Sequence, residues 1–523
     1  MLGLLLGGLV AALACVAFWR GAPAAERRWA ALGGPALVLG LCLPSLGWGS
    51  LEHLEASYLF EAVKPATAWE VISGRQASEQ MHQPLFTLIL RDWVRLAGTS
   101  EAAVRLPSAL FAALATLVVW RLGRSWRSAT EAALGAGLFA LSPLLVWYAK
   151  DCSPYALLAL TGALSLRFAT DLVSGKPERW SLLGTAVSLA LGFYTHFHGA
   201  WVAVFVGGWL LAEGRYRPFF ALTAGVFVLC APALGLLLDK LVTSVQGLVE
   251  DQPMMRHSHA LTEAIPEALR VYFGGERWAW AGVLIATVAA TLRSPAPLRR
   301  LALVAAAVAV LAEAHILWQL SRSKGIVYVD VRHYLAWLPL TAVLLAGARP
   351  WLVGLCAALM LTTSAPMITG ALQKPDAREA FEWLKARATG PEHGVSILPA
   401  PWYSAIGEYY LLGICDELVH GRSFEGWWEP GTCALHEQPK AGTMYGFPFG
   451  ADRFWLSRLR RGLTTLWLVD LRDHRFGLPV PPSTAQEAFL RWTSLTPEVE
   501  VRFGPWVTIR GYAVSALEAP PAE

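Results

Sequence analysis

The chain has 523 residues, of which 55% are hydrophobic and 16% are charged, and its formal net charge is +4. Soluble domains carry about 25% charged residues, so this composition excludes an ordinary water-soluble fold. The small positive charge is dispersed among loops, which argues against a nucleic-acid-binding protein.

Long apolar runs fill most of the chain from residue 3 to residue 370. A helix of roughly 20 apolar residues crosses a hydrocarbon core of about 30 Å. The sequence therefore predicts a polytopic α-helical membrane protein with about twelve transmembrane helices. The predicted spans are residues 3–19, 31–48, 102–120, 129–148, 154–173, 181–196, 198–212, 218–238, 277–292, 301–319, 335–347 and 350–370.

Basic residues in alternate connections predict the orientation of these helices. Cytoplasmic loops carry an excess of Lys and Arg, so the connections that hold these residues are assigned to the cytoplasm. Both termini then face the extracytoplasmic side, together with the longer connections 49–101, 239–276 and 320–334. The connections assigned to the cytoplasm contain Arg20, Arg27, Arg28, Arg121, Arg124, Arg127, Lys176, Arg179, Arg215, Arg217, Arg293, Arg299, Arg300 and Arg349.

The chain changes character near residue 371, where mixed polar and aromatic sequence replaces the apolar runs. We therefore predict a transmembrane domain over 1–370 and a small extracytoplasmic soluble α/β domain over 371–523. Periodicity predicts a helix over 376–388, strands from Gly394 and from Thr464, and a hairpin around Gly504. Cys415 and Cys433 lack zinc-like spacing, and in an extracytoplasmic domain a disulfide is the role expected for them.

Several ionisable residues fall at the outer ends of the predicted helices, where they serve either a functional site or simple interfacial anchoring. Transporters instead place such residues near the bilayer midplane, which favours an interfacial site here. The outer residues considered are Glu52, Glu55 and His82 in the first outer connection, Lys150 and Asp151 in a short one, His196 at another boundary, and Arg332 and His333 in a later one.

Four stretches resemble the GT-C superfamily of polyprenyl-phosphate-sugar-dependent glycosyltransferases, in the branch of protein O-mannosyltransferases and lipid A aminoarabinose transferases. HQPLFTLILRDWVRLAGTSEAAVRLPSALFAAL, from His82 to Leu114, is similar to the family's His-x-Pro-Leu, Gly-x-Ser-Glu and Arg-Leu-Pro-Ser features in order. SPLLVWYAKDCSPYALL from Ser142, YTH at Tyr194 and RHYLAWLPL from Arg332 also fit that pattern.

The resemblance implies catalytic carboxylates in the first outer connection and in the short one. The family's first outer loop begins with an Asp-Glu pair that supplies a general base, but GSLEHLEASYLFEA, from Gly49, contains no Asp. The similarity places Glu55 at the Asp position, while Glu52, one helical turn away, is the alternative base. Asp151 matches the second acidic position, where it orients the acceptor or contacts the sugar.

The resemblance also implies a phosphate-binding set, because the leaving group is a lipid phosphate that needs positive charge or hydrogen-bond donors. Arg332 is the first candidate, since Arg forms bidentate pairs with phosphate. The supporting candidates are His82, Lys150, His196 and His333.

No metal site is assigned, because the chain has no HExxH or DxD motif and no cysteine cluster. A divalent cation held by Glu55, Asp151 and His82 is left open. Nothing indicates a nucleotide cofactor, since no Walker A or GxGxxG motif follows a strand.

The function implied is transfer of a sugar from a polyprenyl-phosphate donor to a lipid, glycan or protein acceptor of the cell envelope, by inverting general-base chemistry. The expected setting is a bacterial inner membrane, with the reaction on the extracytoplasmic face. Two alternatives are a non-enzymatic transporter or lipid-binding membrane protein, and an inactive glycosyltransferase-like scaffold.

Overall fold

The structure is a computed structural model. It describes residues 2, 26–63, 67–73, 84–175, 178–196, 198–232, 269–270, 272–274, 279–322, 331–369, 377–387, 393–398, 406, 409–410, 443–445, 464–471, 474–475, 478–479, 497–504 and 507–513.

Helices dominate the described part of the chain up to residue 369. Two 3₁₀ segments, Leu43–Ser45 and Val331–Trp337, connect some of them. The helices are α1 (Glu26–Cys42), α2 (His53–Val63), α3 (Ala68–Ser73), α4 (Pro84–Ala97), α5 (Glu101–Gly123), α6 (Ala129–Leu141), α7 (Pro143–Ala149), α8 (Tyr155–Val173), α9 (Glu178–Thr195), α10 (Gly199–Ala212), α11 (Tyr216–Pro232), α12 (Ala279–Leu292), α13 (Ala296–Arg322), α14 (Leu338–Leu345), α15 (Pro350–Thr369) and α16 (Ala377–Lys385).

Three helices in the described part of the chain, α5, α8 and α15, are long and apolar enough to cross a membrane. The pair α6 and α7 adds a fourth candidate if it is counted as one bent span. Shorter apolar helices lie at several of the other predicted positions, including α10, α11 and α12. The predicted run 3–19 lies outside the described residues, so the number of about twelve spans stays a prediction.

The predicted span 129–148 is wrong as a single helix, because α6 and α7 meet at Ser142 with a bend of 61°. Pro143 is the first residue of α7, and a proline disfavours helical backbone at the residue before it. Ser142 accordingly has φ −57° and ψ 127°. The break directs the end of α7 toward the short connection that carries Lys150 and Asp151.

Helix α8 is at the centre of the bundle, where all of its residues are buried. It packs against α5, α9, α10 and the 3₁₀ segment Val331–Trp337. Its own Arg167 and Asp171, one turn apart, form an ion pair with an N–O distance of 2.7 Å. Pairing is the arrangement expected for charges within a membrane segment.

The described strands of the C-terminal part form a five-stranded sheet in the order β2, β1, β3, β7, β6. The three strands β2, β1 and β3 run parallel, and β7 pairs antiparallel with both β3 and β6. The bounds are β1 (His393–Leu398), β2 (Thr443–Tyr445), β3 (Thr465–Leu471), β6 (Val499–Phe503) and β7 (Val507–Ala513), with β4 (His474–Arg475) and β5 (Leu478–Pro479) as a separate pair.

The strands expected from Gly394 and Thr464 are confirmed as β1 and β3, and the expected hairpin as β6 and β7. Helix α16 confirms the helix expected over 376–388, and it packs on β6 and β7. Its Trp383 lies 5.7 Å from Trp467 and 6.0 Å from Phe503, measured between ring centroids. The boundary at residue 371 and the predicted disulfide between Cys415 and Cys433 lie outside the described residues, and both stay predictions.

A close backbone contact at Gly162 joins α8 to the segment that carries Arg332. A Cβ atom at position 162 would lie 2.5 Å from the carbonyl oxygen of Ala336. We expect Gly162→Ala to lower the free energy of unfolding by about 1–3 kcal/mol. The new Cβ atom would overlap backbone atoms of Ala336, and backbone in a packed bundle cannot move aside as a flexible side chain can. Thermal unfolding of the purified protein measures this effect.

The matched control is Gly137→Ala in α6, where a Cβ atom meets nothing within 4 Å. That variant is expected to be neutral or slightly stabilising, since alanine favours a helix over glycine. Equal unfolding temperatures for the two variants would contradict the close approach of α8 to Ala336.

Candidate active site

A buried ion pair between Glu55 and Arg105 is the centre of the candidate site. Glu55 lies in the first turn of α2 with no exposed surface, and Arg105 lies in α5 with 1% exposed. Arg105 Nε donates to Glu55 Oε1 at 2.8 Å, and Nη2 donates to Oε2 at 2.9 Å. This is the bidentate geometry that gives Arg-carboxylate pairs their strength and direction.

Glu55 also accepts two backbone hydrogen bonds. The Cys152 amide donates to Oε1 at 2.8 Å, and the Glu52 amide donates to Oε2 at 2.9 Å. Each carboxylate oxygen therefore receives two N–H donors, which is the full capacity of the group. Because Cys152 follows Asp151, Glu55 fastens the first outer connection to the short one.

Arg105 directs its remaining donors to the turn that precedes α2. Gly49 has φ +72°, in the left-handed region that favours glycine, and this reverses the chain around the guanidinium. The carbonyl oxygens that accept from Arg105 belong to Leu46 at 2.9 Å, Trp48 at 3.2 Å, Gly49 at 3.1 Å and Ser50 at 2.7 Å.

Sequence reasoning assigned no role to Arg105, although the residue stands in the Arg-Leu-Pro-Ser stretch. The available signal was a cation near the outer end of an apolar helix, which needs a partner when it is buried. That partner is 50 residues away, so spacing along the chain could not identify it.

The other two predicted carboxylates lie next to this pair. Asp151 is 5% exposed, and its charge interacts electrostatically with Arg105. Glu52 is only half-buried, at the residue that precedes α2. Of the three predicted carboxylates, Glu52 is thus the least buried residue, although its Oε1 atom is itself buried.

Lys150 reaches across to the end of α15. Its Nζ donates to the carbonyl oxygen of Met367 at 2.7 Å. A cation at a helix C-terminus is stabilised by the partial negative charge of the last carbonyls. Lys150 therefore ties the connection after α7 to the last membrane helix before the tail.

His196 is buried, with 2% exposed, and lies 5.5 Å from Tyr155 between ring centroids. Its Nδ1 accepts a hydrogen bond from the amide of His198 at 3.1 Å, and the two Nδ1 atoms are 3.2 Å apart. The tautomer that accepts at Nδ1 carries its proton on Nε2.

Arg332 and His333 lie in the 3₁₀ segment that packs on α7, α8 and α10. This backbone placement brings them to the same group of helices as Asp151 and His196. Their side chains, and the whole of His82, lie outside the described residues.

Within the described residues, no group of three or more His, Cys, Asp or Glu side chains is placed to hold a metal ion. The four N–H donors on Glu55 leave it no lone pair for a cation. The cation considered from the sequence therefore does not fit Glu55 as a ligand in this arrangement.

Comparison with known proteins gives the chain a family context. Residues 81–237 match the family described as dolichyl-phosphate-mannose-protein mannosyltransferase. This segment contains Arg105, Lys150, Asp151 and His196. No curated protein is a significant match to the sequence.

Solved structures extend the comparison over most of the chain. ArnT from Cupriavidus metallidurans in the apo state shares 15% identity, with a TM-score of 0.55, and the match covers 92% of this chain and 98% of that one. ArnT from the same organism bound to undecaprenyl phosphate has a TM-score of 0.45 at 15% identity, over the same shares of the two chains. Archaeal AglB from Archaeoglobus fulgidus, in complex with an inhibitory peptide and a dolichol-phosphate, has a TM-score of 0.47 at 11% identity, covering 85% of this chain and 69% of that one.

The fold of the apo ArnT structure and the match over residues 81–237 agree with the motifs read from the sequence. The predicted resemblance of this chain to the GT-C superfamily of membrane glycosyltransferases is confirmed.

Proposed function

We propose that this protein is a membrane glycosyltransferase that moves a sugar from a polyprenyl-phosphate donor to a lipid, glycan or protein acceptor on the extracytoplasmic face. The observation that carries the proposal is the match of residues 81–237 to a dolichyl-phosphate-mannose-dependent family. That segment supplies Arg105, Asp151 and the Cys152 amide, and Arg105 and Cys152 bind the buried Glu55 of the preceding connection. A bacterial inner membrane is the proposed setting.

The three carboxylates divide into two roles. Glu55 is fully buried and accepts four N–H donors, which supports a positioning role for it. Glu52 is the least buried of the three residues and its backbone N–H is bound to Glu55, and on these two observations we propose Glu52 as the general base. Glu55 is then the residue that positions the base and does not exchange the proton itself.

Asp151 is proposed to orient the acceptor or to contact the sugar, because it lies beside the same ion pair. A single base suffices for inversion when the leaving group is a phosphate, which departs without a strong general acid. The proton of the acceptor hydroxyl passes to Glu52, the new glycosidic bond forms, and the bond to the lipid phosphate breaks.

The leaving phosphate requires positive charge held in place before the reaction. Arg332 is proposed for this role, with His82, Lys150 and His333 in support. His196 is proposed to donate to the phosphate through Nε2, because its Nδ1 accepts from the His198 amide.

The test is transfer of radiolabelled sugar from a panel of polyprenyl-phosphate sugars by the purified full-length protein, with Arg332→Ala as the comparison. We expect turnover with one donor, and a loss of about 10²-fold or more in Arg332→Ala, since removing a charge-stabilising donor has effects of this size. Absence of both turnover and donor binding with every lipid would favour a transporter or an inactive scaffold.

A further inference from the structure

The C-terminal part of the chain contacts the first outer connection at Ser50 and Leu51, the two residues that precede Glu52. The backbone N–H of Arg378, in α16, donates to Ser50 Oγ at 2.7 Å. The backbone N–H of Leu51 donates to the hydroxyl of Tyr410 at 2.7 Å. We call Arg378 and Tyr410 the tail clamp.

Glu101, in the first turn of α5, joins the tail clamp to the membrane bundle. Its Oε1 accepts from Arg378 Nε at 2.8 Å and from the Tyr410 hydroxyl at 3.1 Å. Arg105, which holds Glu55, lies one turn further along the same helix. The tail clamp and the buried ion pair therefore share one rigid support.

Tyr410 is positioned for its hydrogen bonds with Leu51 and Glu101. Its ring stacks on Phe381 of α16, with centroids 6.2 Å apart and planes inclined by 11°. Burial and the adjacent charge of Glu101 raise the pKa of Tyr410. The phenol therefore stays protonated, donating to Glu101 while it accepts from Leu51.

Two sides hold the dipeptide Ser50–Leu51. From the bundle, Arg105 donates to the carbonyl oxygen of Ser50 at 2.7 Å. From the tail, the Arg378 amide donates to the Ser50 hydroxyl, and the Tyr410 hydroxyl accepts from the Leu51 amide. Glu52 follows immediately, and its own amide is bound to Glu55.

We infer that the C-terminal part of the chain is a working component of the active site, in which Arg378 and Tyr410 are positioning residues that fix the location of Glu52. This inference rests on the proposed function for its catalytic consequence. Both act through their hydrogen bonds to the Ser50 hydroxyl and the Leu51 amide.

The experiment compares Tyr410→Phe with Tyr409→Phe in the full-length protein. Tyr410→Phe keeps the ring on Phe381 and removes only the hydroxyl. Tyr409 also crosses from the tail to the bundle, but its hydroxyl donates to the carbonyl oxygen of Thr99 at 2.7 Å. The control therefore removes a contact of the same kind that does not involve Ser50 or Leu51.

The first readout is hydrogen exchange of peptides covering residues 46–56, measured by mass spectrometry in detergent. We expect exchange at Leu51 to be about tenfold faster in Tyr410→Phe, the effect of losing one hydrogen-bond acceptor, and unchanged in Tyr409→Phe. Equal exchange in the two variants would overturn the inference, whether or not the protein transfers sugar.

The second readout is the kinetics of sugar transfer. We expect kcat in Tyr410→Phe to fall about tenfold or more, since a small misplacement of a catalytic group has a large effect, while the donor KM stays within about twofold. Faster exchange at Leu51 with an unchanged kcat would overturn the positioning role. An inactive wild type would contradict the proposed function. The hydrogen-exchange measurement would still show whether Tyr410 holds the backbone at Leu51.

Discussion

Replacing Glu52 by Gln is expected to lower kcat for sugar transfer by about 10²–10⁴-fold, the usual contribution of a general base. Gln keeps the length of the side chain but cannot accept the proton of the incoming hydroxyl. The free energy of unfolding is expected to change little, because the backbone N–H of Glu52, and not its carboxylate, holds Glu55.

Glu55→Gln is the informative contrast. It weakens the charged, bidentate contact with buried Arg105, so it is expected to lower stability as well as activity. Glu70→Gln is the matched control in the same outer connection, because Glu70 makes an exposed contact with the amide of Thr67. If Glu55→Gln loses all turnover at wild-type stability while Glu52→Gln remains active, the assignment of the base is wrong.

Replacing Arg105 by Ala is expected to lower the free energy of unfolding by about 3–5 kcal/mol, the cost of leaving one partner of a buried ion pair without its counter-charge. Glu55 would remain buried with its negative charge, and four carbonyl oxygens before α2 would lose their donor. Thermal and chemical unfolding in detergent measure the change.

A double variant separates the cost of the unpaired Glu55 charge from the cost of losing the contacts between Arg105 and the carbonyl oxygens before α2. Arg105→Met combined with Glu55→Leu removes both charges, so it is expected to be more stable than Arg105→Ala alone but less stable than wild type. Arg217→Ala, at an exposed arginine in the first turn of α11, is the control and is expected to change stability by less than about 0.5 kcal/mol. A neutral Arg105→Ala would contradict the buried pair.

The sequence was most informative where the pattern of apolar residues within one segment determines the structure of that segment. Strands β1 and β3 follow from short apolar runs rich in β-branched and aromatic residues, and the hairpin of β6 and β7 from the turn at Gly504. Hydropathy identified the segments that became α5, α8 and α15, since length and apolar content are properties of the segment itself.

Local signals failed where the structure depends on residues far apart in the chain. Both Glu52 and Glu55 were read as outer carboxylates, and composition could not show that only Glu55 is enclosed by Arg105 and the Cys152 amide. The bend at Ser142 was available from the Ser-Pro pair, but a continuous hydropathy run concealed it. The contact of Tyr410 with Leu51 spans 359 positions and leaves no sequence signal.

The most direct test of the account is the anomeric configuration of the transferred sugar, determined by NMR on the purified product together with assay of the released lipid. A single carboxylate base with a departing lipid phosphate predicts inversion, with one polyprenyl phosphate released for each sugar transferred. Transfer with retention, or transfer without release of polyprenyl phosphate, would contradict it.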